Sequence, residues 1–152
     1  MDREIDRVNR FDAKDIERLE DQSLYSGFFG LEKRRLRHRR FNGEWGEAID
    51  REVHVRRDAV GVLLYDPIHD HVVLVEQIRA GALDDPVSPW KLEPVAGLVE
   101  PGETPADVAR REAQEEAGCD IGELIELHRY YPSPGACTEQ VTLFCGLIDS
   151  TG

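Results

Sequence analysis

A mixed α/β (α+β) domain is the fold class this sequence predicts, and three observations carry it. Residues 59–65 and 72–78 are short apolar runs rich in β-branched side chains, split by Asp66-Pro67-Ile68-His69-Asp70, the pattern of two core strands around a turn. Asn42-Gly43 is the dipeptide a tight hairpin asks for, because both residues tolerate positive φ. Thr104-Pro105-Ala106-Asp107 opens a helix, with Thr as N-cap and Pro at the first helical position, and Gly118 closes it. Strands mixed with one clear helix define the class.

Taken in order, residues 1–20 are densely charged, and the start of the chain is expected to fray. Residues 24–40 read as extended structure and 47–57 as the strand returning from the Asn42-Gly43 turn. This first third offers few residues suited to burial, so it is expected to rest on another surface, such as a second subunit. After the two core strands, residues 81–90 form a loop with two prolines, and residues 94–99 a short strand. Within the helix, Ala106, Ala109, Ala113 and Ala117 fall on one face, a shallow stripe that lets the helix approach a sheet closely. Residues 121–131 and 139–148 are expected as two further strands. The organisation predicted is an N-terminal strand region, 1–57, followed by the main domain, 58–152.

Composition narrows the function. The 152 residues are 40% hydrophobic, enough for one core, and no apolar run approaches the ~18 residues a membrane helix needs. The opening MDREIDRVNR is too charged for a secretory leader, and Cys119, Cys137 and Cys145 lack metal-ligand spacing. A cytoplasmic protein with reduced thiols is therefore expected. A formal net charge of −12 argues against a dedicated nucleic-acid binder. One basic run, residues 33–40, either decorates the solvent face of a strand or attracts an anionic substrate. A small phosphorylated ligand suits an acidic protein with basic islands, particularly if its carboxylates hold metal.

The chemistry concentrates on the helix. Glu112 and Glu116 are four apart and share a face, with Glu115 beside them. Three helical glutamates alone would be an ordinary solvated face, but three features speak against that here. They crowd the C-terminal end, where the helix dipole disfavours anions. A loop bearing Gly97 and Gly102 feeds the helix, so backbone can approach a ligand. Arg111 sits next to Glu112 and four residues before Glu115, placed to hold a carboxylate. Such a cluster suits a hard cation shared with substrate phosphates, as Mg²⁺ commonly is.

Residues 97–119, GLVEPGETPADVARREAQEEAGC, match the Nudix signature Gly-x5-Glu-x7-Arg-Glu-U-x-Glu-Glu-x-Gly-U at every position, U being apolar and Cys119 the last. Seven positions each demand one residue type, so chance agreement is under about one in a million. The resemblance implies the Nudix fold, a mixed β-sheet between helices, and hydrolysis of a nucleoside diphosphate linked to another group. It implies that Glu112 and Glu116 are metal ligands together with the main-chain carbonyl of Ala96, that Glu115 lies in or near the coordination shell, and that Arg111 and Glu103 orient the glutamates. Mg²⁺ is the cofactor implied, with Mn²⁺ as a substitute.

Outside the signature, Ser133-Pro134-Gly135 places Pro134 15 residues beyond Cys119. That spacing resembles the ADP-ribose pyrophosphatase branch of the family. The likeness extends through Tyr25-Ser26-Gly27-Phe28-Phe29, Phe41-Asn42-Gly43, Arg51-Glu52, Glu76-Gln77-Ile78-Arg79 and Glu93-Pro94-Val95-Ala96-Gly97. It implies that Phe28 stacks on adenine, that Arg51 and Arg79 meet the substrate, and that Glu52, Leu98, Ser133 and Glu139 line the pocket. Read as residues alone, Phe28 could equally be core, and the two arginines surface ion-pair partners. The branch further implies a homodimer that exchanges N-terminal strands, so that Phe28 and Arg51 of one chain serve the glutamates of the other. The family pattern still runs at Asp149-Ser150-Thr151-Gly152, and the resemblance implies a further glutamate-bearing loop, strand and helix beyond it. The function expected is Mg²⁺-dependent hydrolysis of ADP-ribose to AMP and ribose 5-phosphate. Two rivals are hydrolysis of another nucleotide sugar, such as GDP-mannose or ADP-glucose, and ADP-ribose sensing without cleavage.

Overall fold

In the computed structural model, which describes residues 11–151, β1 (Ile16–Ser26), β2 (Gly30–His38) and β3 (Ile49–Val55) form an antiparallel sheet in that order. Of the stretch expected to fray, residues 1–10 lie outside the described residues, while Ile16 already opens β1. Residues 24–40 are not one extended run. The chain reverses at Gly27-Phe28-Phe29, where Gly27 N donates to Phe29 O at 3.0 Å, and Ser26-Gly27 was the turn signal available. The chain does turn back at Asn42-Gly43 to pair β2 with β3, but only Gly43 has positive φ, 87°, and its N–H donates to Arg40 O, so the connection is longer than the tight two-residue hairpin the dipeptide announces.

None of the described residues of this first unit is buried. It comprises the chain up to Arg56 plus Gly135–Cys137, joined through His54 N donating to Ala136 O at 2.8 Å. The basic run 33–40 lies mainly on β2 and is tied down by acids: Arg37 to Glu17 at 2.5 Å, Lys33 to Asp50 at 3.0 Å, Arg34 to Glu32 at 2.9 Å. That is the strand-decoration reading of the run. Trp45 has the guanidinium of Arg37 at 5.1 Å and that of Arg39 at 4.8 Å from its ring centre.

The second unit spans Arg57–Pro134 and the chain from Thr138. Its main sheet runs β5 (His71–Val73), β4 (Ala59–Asp66), β10 (Val141–Leu147), β9 (Leu124–Tyr130), and β8 (Val95–Leu98) shares the edge of β4 with β5. β10 is parallel to β4 and antiparallel to β9. Residues 72–78, expected as one core strand, are divided at Leu74. β5 joins β4, whereas β6 (Val75–Ile78) pairs with β7 (Trp90–Glu93) in a separate ribbon. The halves enter different ladders, which a single apolar run does not announce.

Val60, Val62 and Leu64 point from β4 into a core completed by Val95, Phe144, Ile148 and the helix α1 (Pro105–Ala117). The alanine stripe does what its spacing implies: Ala109 and Ala113 are fully buried, and α1 lies on β8 and β4. Its capping box is complete, Thr104 Oγ1 accepting from Asp107 N and Asp107 Oδ2 accepting from Thr104 N. Gly118 ends it at φ 65°, a left-handed conformation glycine adopts without a Cβ penalty. α1 is the one α-helix among the described residues. No helix among them is long and apolar enough to cross a membrane.

Asp66 closes the far end of β4. Its buried carboxylate accepts from Ile68 N, His69 N, His69 Nδ1, Ser150 N and Ser150 Oγ, at 2.6–3.1 Å. These bonds, those of Ser150 foremost, hold its pKa far below the usual carboxylate range.

Candidate active site

The signature loop and helix bring three carboxylates onto one guanidinium. Arg111 grips Glu103 with two parallel bonds, Nε to Oε1 at 2.8 Å and Nη2 to Oε2 at 3.1 Å. Its Nη1 donates to Glu112 Oε1 at 2.7 Å and to Glu115 Oε2 at 3.1 Å. The Glu103 bond, then Glu112, raises the pKa of Arg111, and the same pairing lowers that of Glu103. Arg111 therefore stays charged and splints the helix to the loop that precedes it.

Backbone completes the arrangement. Gly97 has no room for a side chain: a Cβ there would lie 1.9 Å from Glu112 Oε1. Glu116 accepts from Ala96 N at 3.3 Å. Glu112 is half-buried against Gly97, while Glu115 and Glu116 are exposed. The helix start, fixed by Thr104, and the β8–β4 ladder, which pairs Ala96 with Gly61 and Gly97 with Val60, set this register.

The NUDIX domain model matches residues 55–151. An ADP-ribose pyrophosphatase of Haemophilus influenzae is 42% identical over 151 residues, which is 97% of this chain and 70% of that protein. This chain belongs to the Nudix family. A GDP-mannose pyrophosphatase of Yersinia pestis is 34% identical over 130 residues, 85% of this chain and 65% of its own. The crystal structure of an ADP compounds hydrolase superposes with a TM-score of 0.68 at 20% identity, over 87% of this chain and 66% of that one, a likeness of fold. The chain thus spans about two thirds of the length of these relatives.

Nudix hydrolases typically depend on divalent metal, and the donor set here fits such an ion. Glu112 lies against Gly97 and Glu116 against Ala96, so two carboxylates and a main-chain segment adjoin. Among the described residues no three His, Cys, Asp or Glu side chains form a ready cage.

The remaining Nudix-branch positions fall in both units. Phe28 is 78% exposed, so it is not a core residue, and it stacks edge-on to Phe29. Arg51, exposed on β3, donates to the carbonyl of Asp50, and Glu52 beside it is exposed. In the second unit Arg79 forms a double contact with Glu93, at 2.7 and 2.8 Å. Leu98 is half-buried at the end of β8, Ser133 is exposed, and Glu139 is half-buried just before β10. Sequence reasoning overlooked Arg57 and Asp58. Arg57 forms an ion pair with Glu100 in the signature loop, and Asp58 bonds two neighbouring strands. Lying just outside the signature, they carried only the weak signal of a charged pair before an apolar strand.

Proposed function

We propose that this chain hydrolyses ADP-ribose to AMP and ribose 5-phosphate. The observation that carries the reading is Arg111 gathering Glu103, Glu112 and Glu115 beside a glycine with no space for a side chain. The name of the Haemophilus influenzae relative supplies the substrate. Glu112, Glu116 and the carbonyl of Ala96 would hold Mg²⁺ or Mn²⁺, with Glu115 in or near the coordination shell. When bound, the ion polarises phosphoryl oxygens and lowers the pKa of a bound water. The chain's own groups hold the reactants. Arg111 and Glu103 fix the glutamates, the forked guanidiniums of Arg51 and Arg79 suit phosphate oxygens, and Phe28 suits a flat base. Glu52, Leu98, Ser133 and Glu139 complete the pocket. Arg79 exchanges part of its Glu93 contact for phosphate. Water attacks one phosphorus, the bridging P–O bond breaks, and the two monophosphates leave.

The same reading includes a homodimer with exchanged N-terminal strands, supported by a first sheet in which no described residue is buried. Light scattering at working concentration should return twice the monomer mass, and a monomer there removes this element. The retained carboxylates favour catalysis over a sensing role.

The test is product analysis with ADP-ribose, GDP-mannose and ADP-glucose, with and without Mg²⁺. AMP and ribose 5-phosphate formed fastest from ADP-ribose, and only with metal, is the expected result. Faster turnover of GDP-mannose, the substrate in the name of the Yersinia pestis relative, would replace the substrate and keep the chemistry. Binding of ADP-ribose with no turnover of any of the three would favour the sensor.

A further inference from the structure

Asp58 stands one residue before β4, at the point where that strand is flanked by β8 on one edge and β10 on the other. Its main-chain oxygen accepts from Val99 N at 2.9 Å, extending the β4–β8 ladder past Leu98. On the other edge its side chain supplies the contact. Oδ1 accepts from Gln140 N at 3.0 Å, while Ala59 N donates to Gln140 O at 2.9 Å. Arg129 of β9 holds Oδ2 at 3.7 Å. One residue thus ties down the position after Leu98 and the position after Glu139.

We infer that Asp58 is a positioning residue for substrate, its carboxylate fixing the backbone at Gln140 and so the direction of Glu139. The inference rests on the ADP-ribose reading only in taking Glu139 as a pocket residue. The physical basis is general. A parallel ladder ends with an amide that needs an acceptor, and a carboxylate one residue upstream supplies it with a charge-assisted bond. Without that bond Gln140 N loses its acceptor and the β10 entrance is held to β4 there by Gln140 O alone, so substrate binding must restrict the backbone freedom regained. The cost falls on substrate binding. Glu112 and Glu116 are held by Arg111 and Ala96 and do not depend on Asp58.

The test compares Asp58→Ala and Asp58→Asn with the parent protein. An asparagine oxygen still accepts from Gln140 N, whereas alanine offers nothing. Asp58→Ala should raise KM for ADP-ribose about fivefold, the effect of one lost hydrogen bond, with kcat within about twofold. Mn²⁺ affinity, followed by electron paramagnetic resonance without substrate, should be unchanged, and Asp58→Asn should restore KM. Amide exchange supplies a measure independent of turnover: Gln140 should exchange at least about fivefold faster in Asp58→Ala, with Val99 unaffected. An asparagine variant as impaired as alanine overturns the inference. So does unaltered exchange at Gln140, or a fall in kcat and Mn²⁺ affinity alongside the rise in KM. If the parent fails on ADP-ribose but cleaves another nucleotide sugar, the substrate assignment falls. The KM split measured on that sugar, with the Gln140 exchange, then decides Asp58 separately.

Discussion

Along β4, Val60, Val62 and Leu64 are at most 2% exposed, whereas along β1 Leu19, Leu24 and Tyr25 are 43, 42 and 63% exposed. Both strands belong to well-paired sheets, yet the first is held by packing and the second by its ladder and charge. Charge pairs, Arg37–Glu17 and Lys33–Asp50 across strands and Arg34–Glu32 within β2, line the N-terminal sheet where aliphatic side chains pack the β4 sheet. Exposed ion pairs contribute little each, so a sheet of this kind is better suited to meeting a partner than to standing alone. The glutamates sit on the packed unit, where α1 is buried along its alanine stripe and their geometry is set by the core.

Glu116→Gln gives the sharpest separation of site from scaffold. Glu116 is exposed and accepts a bond from Ala96 N at the end of the helix, away from the buried alanine positions Ala109 and Ala113. Loss of one carboxylate from the proposed metal site should lower kcat/KM by on the order of 1,000-fold. Stability should hold or rise slightly, because the repulsion with Glu112 at i,i+4 spacing is worth only a few tenths of a kcal/mol. Steady-state kinetics beside a thermal melt checks both. Activity within tenfold of the parent, or a fall of many degrees in Tm, would break the distinction.

Leu64→Ala should cost about 2–5 kcal/mol, since Leu64 is fully buried between β4 and α1. Leu19→Ala, on the exposed sheet, should cost under about 0.5 kcal/mol in a monomer. Urea unfolding of both variants measures the contrast. A large Leu19 effect that depends on protein concentration would mean that β1 is covered by a second chain, as the proposed dimer requires. A large effect independent of concentration would erase the difference between the sheets.

How legible the two regions were follows the same division. The helix from Thr104 to Gly118 was readable to the residue, because caps and alanine spacing act locally. β4, β8, β9 and β10 were placed within a residue or a few of their ends, because each is bounded by turn chemistry or charge. The reversal at Gly27 was hidden by an aromatic, charged surround that looks continuous with a strand. The break at Leu74 was hidden because both halves of 72–78 share one composition and differ only in partner. For the site, the signature spacing placed Glu103, Arg111, Glu112 and Glu115 together, as observed. Asp58 was not readable, since its partner Gln140 lies 82 residues away. Nothing short of strand order brings them side by side.

The most direct comparison of the two regions sets carboxylate against carboxylate. Asp50 has its pKa lowered chiefly by a hydrogen bond from Lys33, and Asp66 chiefly by the hydroxyl and amide of Ser150. A depressed pKa contributes stability that is present above the ordinary carboxylate range and is lost as pH falls through the folded value. Both contributions should therefore be complete at neutral pH and decline below about pH 4. They differ in their response to salt. Lys33 and Asp50 are both substantially exposed, and about 0.5 M NaCl should remove most of their effect. Asp66 is 1% exposed and its foremost partners, the hydroxyl and amide of Ser150, are fixed dipoles, so salt should change its contribution far less. Thermal melts of Asp50→Asn and Asp66→Asn from pH 7 to pH 3, in low and high salt, test this. The Asp66→Asn deficit should be several degrees at pH 7, narrow in acid and change far less with salt, while the Asp50→Asn deficit should be about a degree and vanish in salt. A salt-sensitive Asp66, or an Asp50 that ignores salt, would show that charge and packing are not divided between the two sheets in this way.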